Sequence, residues 1–262
     1  MYRIVFLLLL PAALPAQPTL DGETARVFRF KHTESPQGRQ EIVNAIRSVA
    51  EVQRAVIDNR AGAMAVRGTP EQIELTAWIF GELDRAPAAN PATVVESRQI
   101  PGDFAPQARV FFLAHGESPQ TMQEIVNTVR AVAEVQRIVS YDANSSLLLR
   151  GSADQVELAA WIIRNLDRPA GVQNEPKPLE YTFNDSSPRP ATAVRMYRLA
   201  HSTTPQSMQE LVNAVRSIAD VQRVMIDNAI ATVTLCGTPA QASMATWLVQ
   251  ELDRAPEAAK AQ

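Results

Sequence analysis

Residues 109–168 read RVFFLAHGESPQTMQEIVNTVRAVAEVQRIVSYDANSSLLLRGSADQVELAAWIIRNLDR, and the same sixty-residue pattern stands at 26–85 and again at 195–254 without a gap. The chain's three His (His32, His115, His201) and three Trp (Trp78, Trp161, Trp247) fall once per copy at equivalent places. So does the Asp of a closing Leu-Asp-Arg: Asp84, Asp167 and Asp253. A residue that recurs in every copy belongs to the architecture of a module or to a repeated binding face, rather than to one asymmetric active site.

Within a copy the pattern predicts β-α-β-β-α. A short strand rich in β-branched and aromatic residues comes first: Val27–Phe30, Val110–Leu113 and Met196–Leu199. A helix start follows, with Ser35, Ser118 or Thr204 as N-cap and Pro36, Pro119 or Pro205 at the first helical position. In the middle copy Met122, Ile125, Val126, Val129 and Val132 recur at three- and four-residue steps, which is one buried helical stripe. Two strands come next, Val52–Ile57 and Ala63–Arg67 in the first copy. They turn at Asp58-Asn59, as the third copy turns at Asp227-Asn228. A second helix opens on a capping box, Thr69…Gln72, Ser152…Gln155 and Thr238…Gln241, and carries the Trp. The expected fold class is α+β: three tandem modules, each a small sheet covered by two helices.

The regions between repeats, 86–108 and 169–194, hold nine of the 18 Pro and much Ala, a composition that favours extended, semi-rigid spacers. Val94-Val95 and Tyr181–Phe183 are the places within them suited to short strands. The tail, 255–262, is Ala-rich and expected to be disordered. Residues 1–16 read as an export signal: Arg3, an apolar run Ile4–Leu10, and cleavage after Ala16. That run is shorter than the roughly 20 residues of a membrane span, and an uncleaved anchor is the alternative. Loss of Arg3 with the signal moves the formal charge from -3 to -4. A mildly acidic chain with no basic tract offers nucleic acid little attraction. With Cys236 as the only cysteine, no intramolecular disulfide is possible. A sixty-residue module buries only about 60% of its unfolded surface, so contacts between modules or chains are expected to supplement each core.

Arg67-Gly68-Thr69-Pro70 with Leu83-Asp84-Arg85, Arg150-Gly151-Ser152 with Leu166-Asp167-Arg168, and Cys236-Gly237-Thr238-Pro239 complete a pattern that resembles the periplasmic N-domains of bacterial secretins. The resemblance covers all three modules but not the spacers. It implies ring-building units that pack side by side and contact secretion partners. Two departures qualify it: no long C-terminal region of alternating strands for a membrane barrel, so no pore is expected, and longer spacers than a tightly stacked column needs. The same element order occurs in KH modules, whose Gly-X-X-Gly backbone clamp is not found here.

Three His beside three Asp suggest a metal site, but one His per module falls short of the three or four ligands of a tight zinc site. The expectation is no metal and no cofactor, with His capping the loop after the first strand. The Trp are expected in the core, with the indole edge free to reach an interface, and Cys236 as a buried, inert thiol, an intermolecular disulfide being the sharper alternative. The first helix repeats one polar face in every copy: Gln40, Glu41, Asn44 and Arg47; Gln123, Glu124, Asn127 and Arg130; Gln209, Glu210, Asn213 and Arg216. Either this is a contact surface, or it is the residue of recent duplication. No nucleophile turn and no phosphate-cradling loop point to an enzyme. Two functions remain: an exported, non-enzymatic envelope scaffold that packs on itself or on a secretion protein, or a monomeric binder presenting three similar sites.

Overall fold

The first sheet forms around β2 (Glu23–Arg29), whose alternating side chains face the helices on one side and the outside on the other. The computed structural model describes residues 19–20, 22–86, 94–100, 105–116, 118–169, 177–183 and 192–255. Residues 1–16, read above as an export signal, residues 87–93 and 101–104 of the first spacer, 170–176 and 184–191 of the second, and the tail beyond 255 lie outside them.

The first module continues with α1 (Pro36–Val49), β3 (Arg54–Asp58), β4 (Ala63–Gly68) and α2 (Pro70–Leu83), and is preceded by β1 (Thr19–Leu20). The second has β5 (Val94–Gln99), β6 (Gln107–Phe112), α3 (Pro119–Thr128), β7 (Arg137–Tyr141), β8 (Ser146–Gly151) and α4 (Ala153–Leu166). The third has β9 (Leu179–Tyr181), β10 (Ala193–Arg198), α5 (Pro205–Ile218), β11 (Arg223–Asp227), β12 (Thr232–Gly237) and α6 (Pro239–Leu252). The class is α+β, with three antiparallel four-stranded sheets ordered β1-β2-β4-β3, β5-β6-β8-β7 and β9-β10-β12-β11.

Helix starts follow the local chemistry. Ser35, Ser118 and Thr204 accept from Gly38, Thr121 and Ser207 backbone N–H groups, with Pro at the first position. The three capping boxes at α2, α4 and α6 are complete. The Gln of each box also reaches back to the first helix. Nε2 of Gln72, Gln155 and Gln241 donates to the carbonyl of Glu51, Glu134 and Asp220, at 2.9, 2.8 and 2.6 Å. These three acids end the first helices in the left-handed region, at φ 57°, 59° and 52°, where Gly is the usual occupant. In the middle copy α3 passes into a π-helical turn, Val129–Ala133. The Thr128 hydroxyl donates back to the Glu124 carbonyl at 3.0 Å, a bond that loosens a helical ladder; the other copies carry Ala45 and Ala214 there.

The two places within the spacers suited to short strands do form them. β5 lies inside 86–108 and pairs with β6 over six residues, from Val94↔Phe112 to Gln99↔Gln107, and β9 lies inside 169–194 and pairs with β10. Each is an edge strand of the following sheet, where flanking Pro is tolerated. The first strands also begin earlier than their repeats, at Glu23, Gln107 and Ala193.

Candidate interaction surface

The repeated Asp of Leu-Asp-Arg closes each module. Asp84 accepts the backbone N–H of Lys31, His32 and Thr33 at 2.7, 3.1 and 2.8 Å. Asp167 accepts those of Ala114 and His115 at 2.8 and 2.7 Å. Asp253 accepts those of Ala200, His201 and Ser202 at 2.7, 2.8 and 2.6 Å. One carboxylate at the end of the second helix thus pins the loop after the first strand. The His takes part through its main chain; only His115 also places Nδ1 near the carboxylate, at 3.5 Å. Among the described residues no three His, Cys, Asp or Glu side chains gather as a metal site.

The polar helix face divides into three parts. Arg47, Arg130 and Arg216 each donate to a carbonyl eight residues on, those of Ala55, Ile138 and Val224, at 2.7, 2.9 and 2.9 Å, bracing helix to strand inside the module. Gln40–Asn44, Gln123–Asn127 and Gln209–Asn213 bond to each other across one helical turn on the exposed side. Glu41, Glu124 and Glu210 accept from Gln37, Gln120 and Gln206 at 3.1, 3.4 and 3.0 Å. Glu124 alone of them also bonds the next module, accepting from Asn228 N at 2.9 Å and Nδ2 at 3.2 Å.

The contacts expected to supplement each core take a definite form: the modules stack. α1 lies on the face of the second sheet turned away from its own helices, so that Ala108, Val110, Tyr141 and Leu148 complete the first module's core. The middle module's first helix lies likewise on the third sheet, drawing Val194, Met196 and Cys236 into its core. Polar contacts frame the first junction. Thr33 Oγ1 meets the Tyr141 hydroxyl at 3.0 Å, Arg150 Nη1 donates to the Val49 carbonyl at 2.8 Å, and Arg85 lies 5.0 Å over the Phe112 ring. Glu51 pairs with Arg137 across this junction and Glu134 with Arg223 across the second. The ion pairs are partly solvated and contribute about 0–1 kcal/mol each. Each core-sized apolar side chain that is covered contributes about 1.5–3 kcal/mol. Apolar burial therefore holds the stack, and the charges fix its register.

The spacer strands reinforce it. β5 carries Arg98, paired with Glu74 of α2 at 3.2 Å. Tyr181 of β9 stands edge-on to Trp161 of α4, ring centroids 5.6 Å apart, and Phe183 stands edge-on to Tyr181. Trp78 and Trp161 are half-buried against their cores, and only Trp247, 55% exposed, departs from the core placement. The position lies on the helix shoulder, and at Trp161 the following strand's Tyr181 covers it. Cys236 is buried at the second junction.

The second junction also distorts a titration. Burial, and then the neighbouring Glu124 carboxylate, push the Asp227 carboxyl up to about 6; Asp227 Oδ2 has no hydrogen-bond partner. Burial raises Tyr141 and Tyr197 as well. No helix among the described residues is long and apolar enough to cross a membrane.

No protein-family model and no curated protein matches the chain. Among solved structures it is similar to Aeromonas hydrophila ExeD, at 13% identity over 89% of this chain and 41% of that one, with a TM-score of 0.20. It is also similar to XcpQN012, at 13% identity, 55% and 62% coverage and a TM-score of 0.24. A third is the pilotin–secretin AspS–GspD complex of ETEC, at 14% identity, 90% and 38% coverage and a TM-score of 0.22. The chain thus spans less than two thirds of each of these structures. The last is named as a secretin, the family that the repeat motifs resemble. At such TM-scores the fold rests on the strand order itself.

Proposed function

We propose that this chain is an exported, non-enzymatic scaffold of the cell envelope, built from secretin N-domain-like modules and serving in the company of a secretion protein or of itself. The observation that carries the reading is the helix-on-sheet junction, used twice in one chain. A surface that joins module to module in cis is suited to joining modules in trans. The recurrent residues of each copy are spent on closing and stacking the module: Asp on loop amides, Arg on strand carbonyls, the acid ending the first helix on the next module's Arg. A binder with three equal sites is less well supported, because stacking leaves the three copies unequally covered.

The test is fractionation of native cells with chemical crosslinking. The scaffold reading expects the chain in the envelope or periplasmic fraction, in crosslinked species heavier than one chain of 28.7 kDa. A chain confined to the cytosol, or one that crosslinks to nothing, contradicts it.

A further inference from the structure

The stack has two different open ends. On the first sheet, the face equivalent to the covered faces of the second and third sheets has nothing upon it among the described residues. Val27 is 60% exposed there, where its counterparts Val110 and Met196 are both at 0%. Val56 beside it is 70% exposed, where Val139 and Met225 pack against a neighbouring core. At the other end, α5 packs on its own sheet but has no second sheet against its outer side among the described residues. Ile218 is 61% exposed at the position where Val49 and Val132 are at 0%. One end is thus a sheet face lacking its helix, and the other is a helix lacking its second sheet.

We infer that copies of this chain join head to tail, the α5 face of one docking on the outer face of the first sheet of the next. The junction repeats the one already made twice within the chain. Its register is written at both ends. Asp220 stands where Glu51 and Glu134 stand, and Arg54 where Arg137 and Arg223 stand, so the ion pair that frames both internal junctions has its two halves waiting on different copies. Glu210 stands where Glu124 stands, and Asn59 where Asn228 stands, which supplies the second polar contact. Among the described residues the Asp220 carboxylate accepts a single long bond, from Gln222 Nε2 at 3.3 Å. Arg54 pairs instead with Glu23 at 3.0 Å, a residue that also holds Arg67 at 2.7 Å and has no acidic counterpart in the other modules. An acid kept at a left-handed position, where Gly fits with less strain, is accounted for when it has an Arg to reach. Because the two docking faces differ, the contact is heterologous and propagates into a ring or a filament rather than stopping at a symmetric dimer.

The inference rests on the scaffold reading and is tested separately from it, on the purified chain as exported. Light scattering follows mass against concentration for the wild type, Ile218→Asp, Val56→Asp, and an equimolar mixture of the two variants. Both substitutions fall at exposed positions, and circular dichroism verifies their folding. The wild type is expected to grow beyond one chain with concentration. Each variant alone remains a monomer, and the mixture reaches two chains and goes no further, since one good tail meets one good head. A wild type that remains a monomer throughout, or variants that assemble as the wild type does, overturns head-to-tail joining. If crosslinked envelope species are found in cells while the purified wild type stays monomeric, the inference fails and the scaffold reading stands.

Discussion

Replacing Asp167 by Ala removes the acceptor of two backbone N–H groups at a carboxylate whose side chain is 1% exposed. Hydrogen bonds to a charged group contribute about 1.5–3 kcal/mol each, so the pair is worth about 3–6 kcal/mol to the middle module. Against a usual domain stability of about 5–15 kcal/mol, that loss is a large part of the whole. Asp167→Asn keeps one oxygen and turns an amide donor toward the second N–H, so it is expected to recover less than half of the loss. His115→Ala should cost under about 1 kcal/mol, because the histidine's main bond is made by its backbone. The assay is urea unfolding followed by far-ultraviolet dichroism and tryptophan fluorescence, with Trp161 reporting on the middle module. A destabilisation of Asp167→Ala below about 1 kcal/mol, or a His115→Ala effect as large as that of Asp167→Ala, would refute this account of the Leu-Asp-Arg signature.

Other expectations follow from the junctions. Asp227 has its carboxyl raised from 3.8 to about 6, so the folded chain binds the proton more tightly than the unfolded one. Its ionisation therefore costs stability at neutral pH, up to about 3 kcal/mol at 1.36 kcal/mol per pH unit, and that cost is relieved as pH falls from about 7 toward 4. Asp227→Asn should be the more stable chain at pH 7.5 and converge on the wild type near pH 4 in parallel denaturant titrations. Asp220→Gly should raise thermal stability by about 1 kcal/mol, by relieving a left-handed residue, yet weaken self-association; Glu134→Gly gains the same relief but gives up the contact with Arg223. Val132→Asp, buried at 0%, should cost more than about 3 kcal/mol in equilibrium unfolding, while Ile218→Asp, 61% exposed, costs less than about 0.5 kcal/mol.

Much of the module was legible because its signals are local. Ser/Thr-Pro helix starts and capping boxes act within four residues and read alike in each copy, while the Asp58-Asn59 turn recurs at Asp227-Asn228 and gives way to a short 3-10 turn at Asp142–Asn144 in the middle copy. The edge strands were harder: β5 is a short run between Pro-rich stretches, and its partner β6 decides its fate, not its own composition. Stacking had one visible signal. β8 reads Leu147-Leu148-Leu149 where a half-buried strand alternates, and all six of its residues are buried, as a sheet covered on both faces requires. β4 offers Ala65 at the middle of that run and gives the other answer. The polar helix face could not be divided from sequence, since Arg130 braces its own strand while Glu124, six residues earlier, reaches the next module. Trp247 shares its sequence setting with Trp161, but only the latter has Tyr181 over it.

The most direct test of the stack uses the one cysteine the chain already has. Cys236 lies on the outward face of the third sheet and is buried at 2% only because the middle module covers it. Reaction of the native chain with a maleimide, against a urea-unfolded control, measures that cover. The stacked account predicts labelling slower by orders of magnitude than in the control, and accelerated by Val132→Asp at the same junction. Labelling of the native chain as fast as the control would show an open sheet face and modules strung independently, contradicting the account.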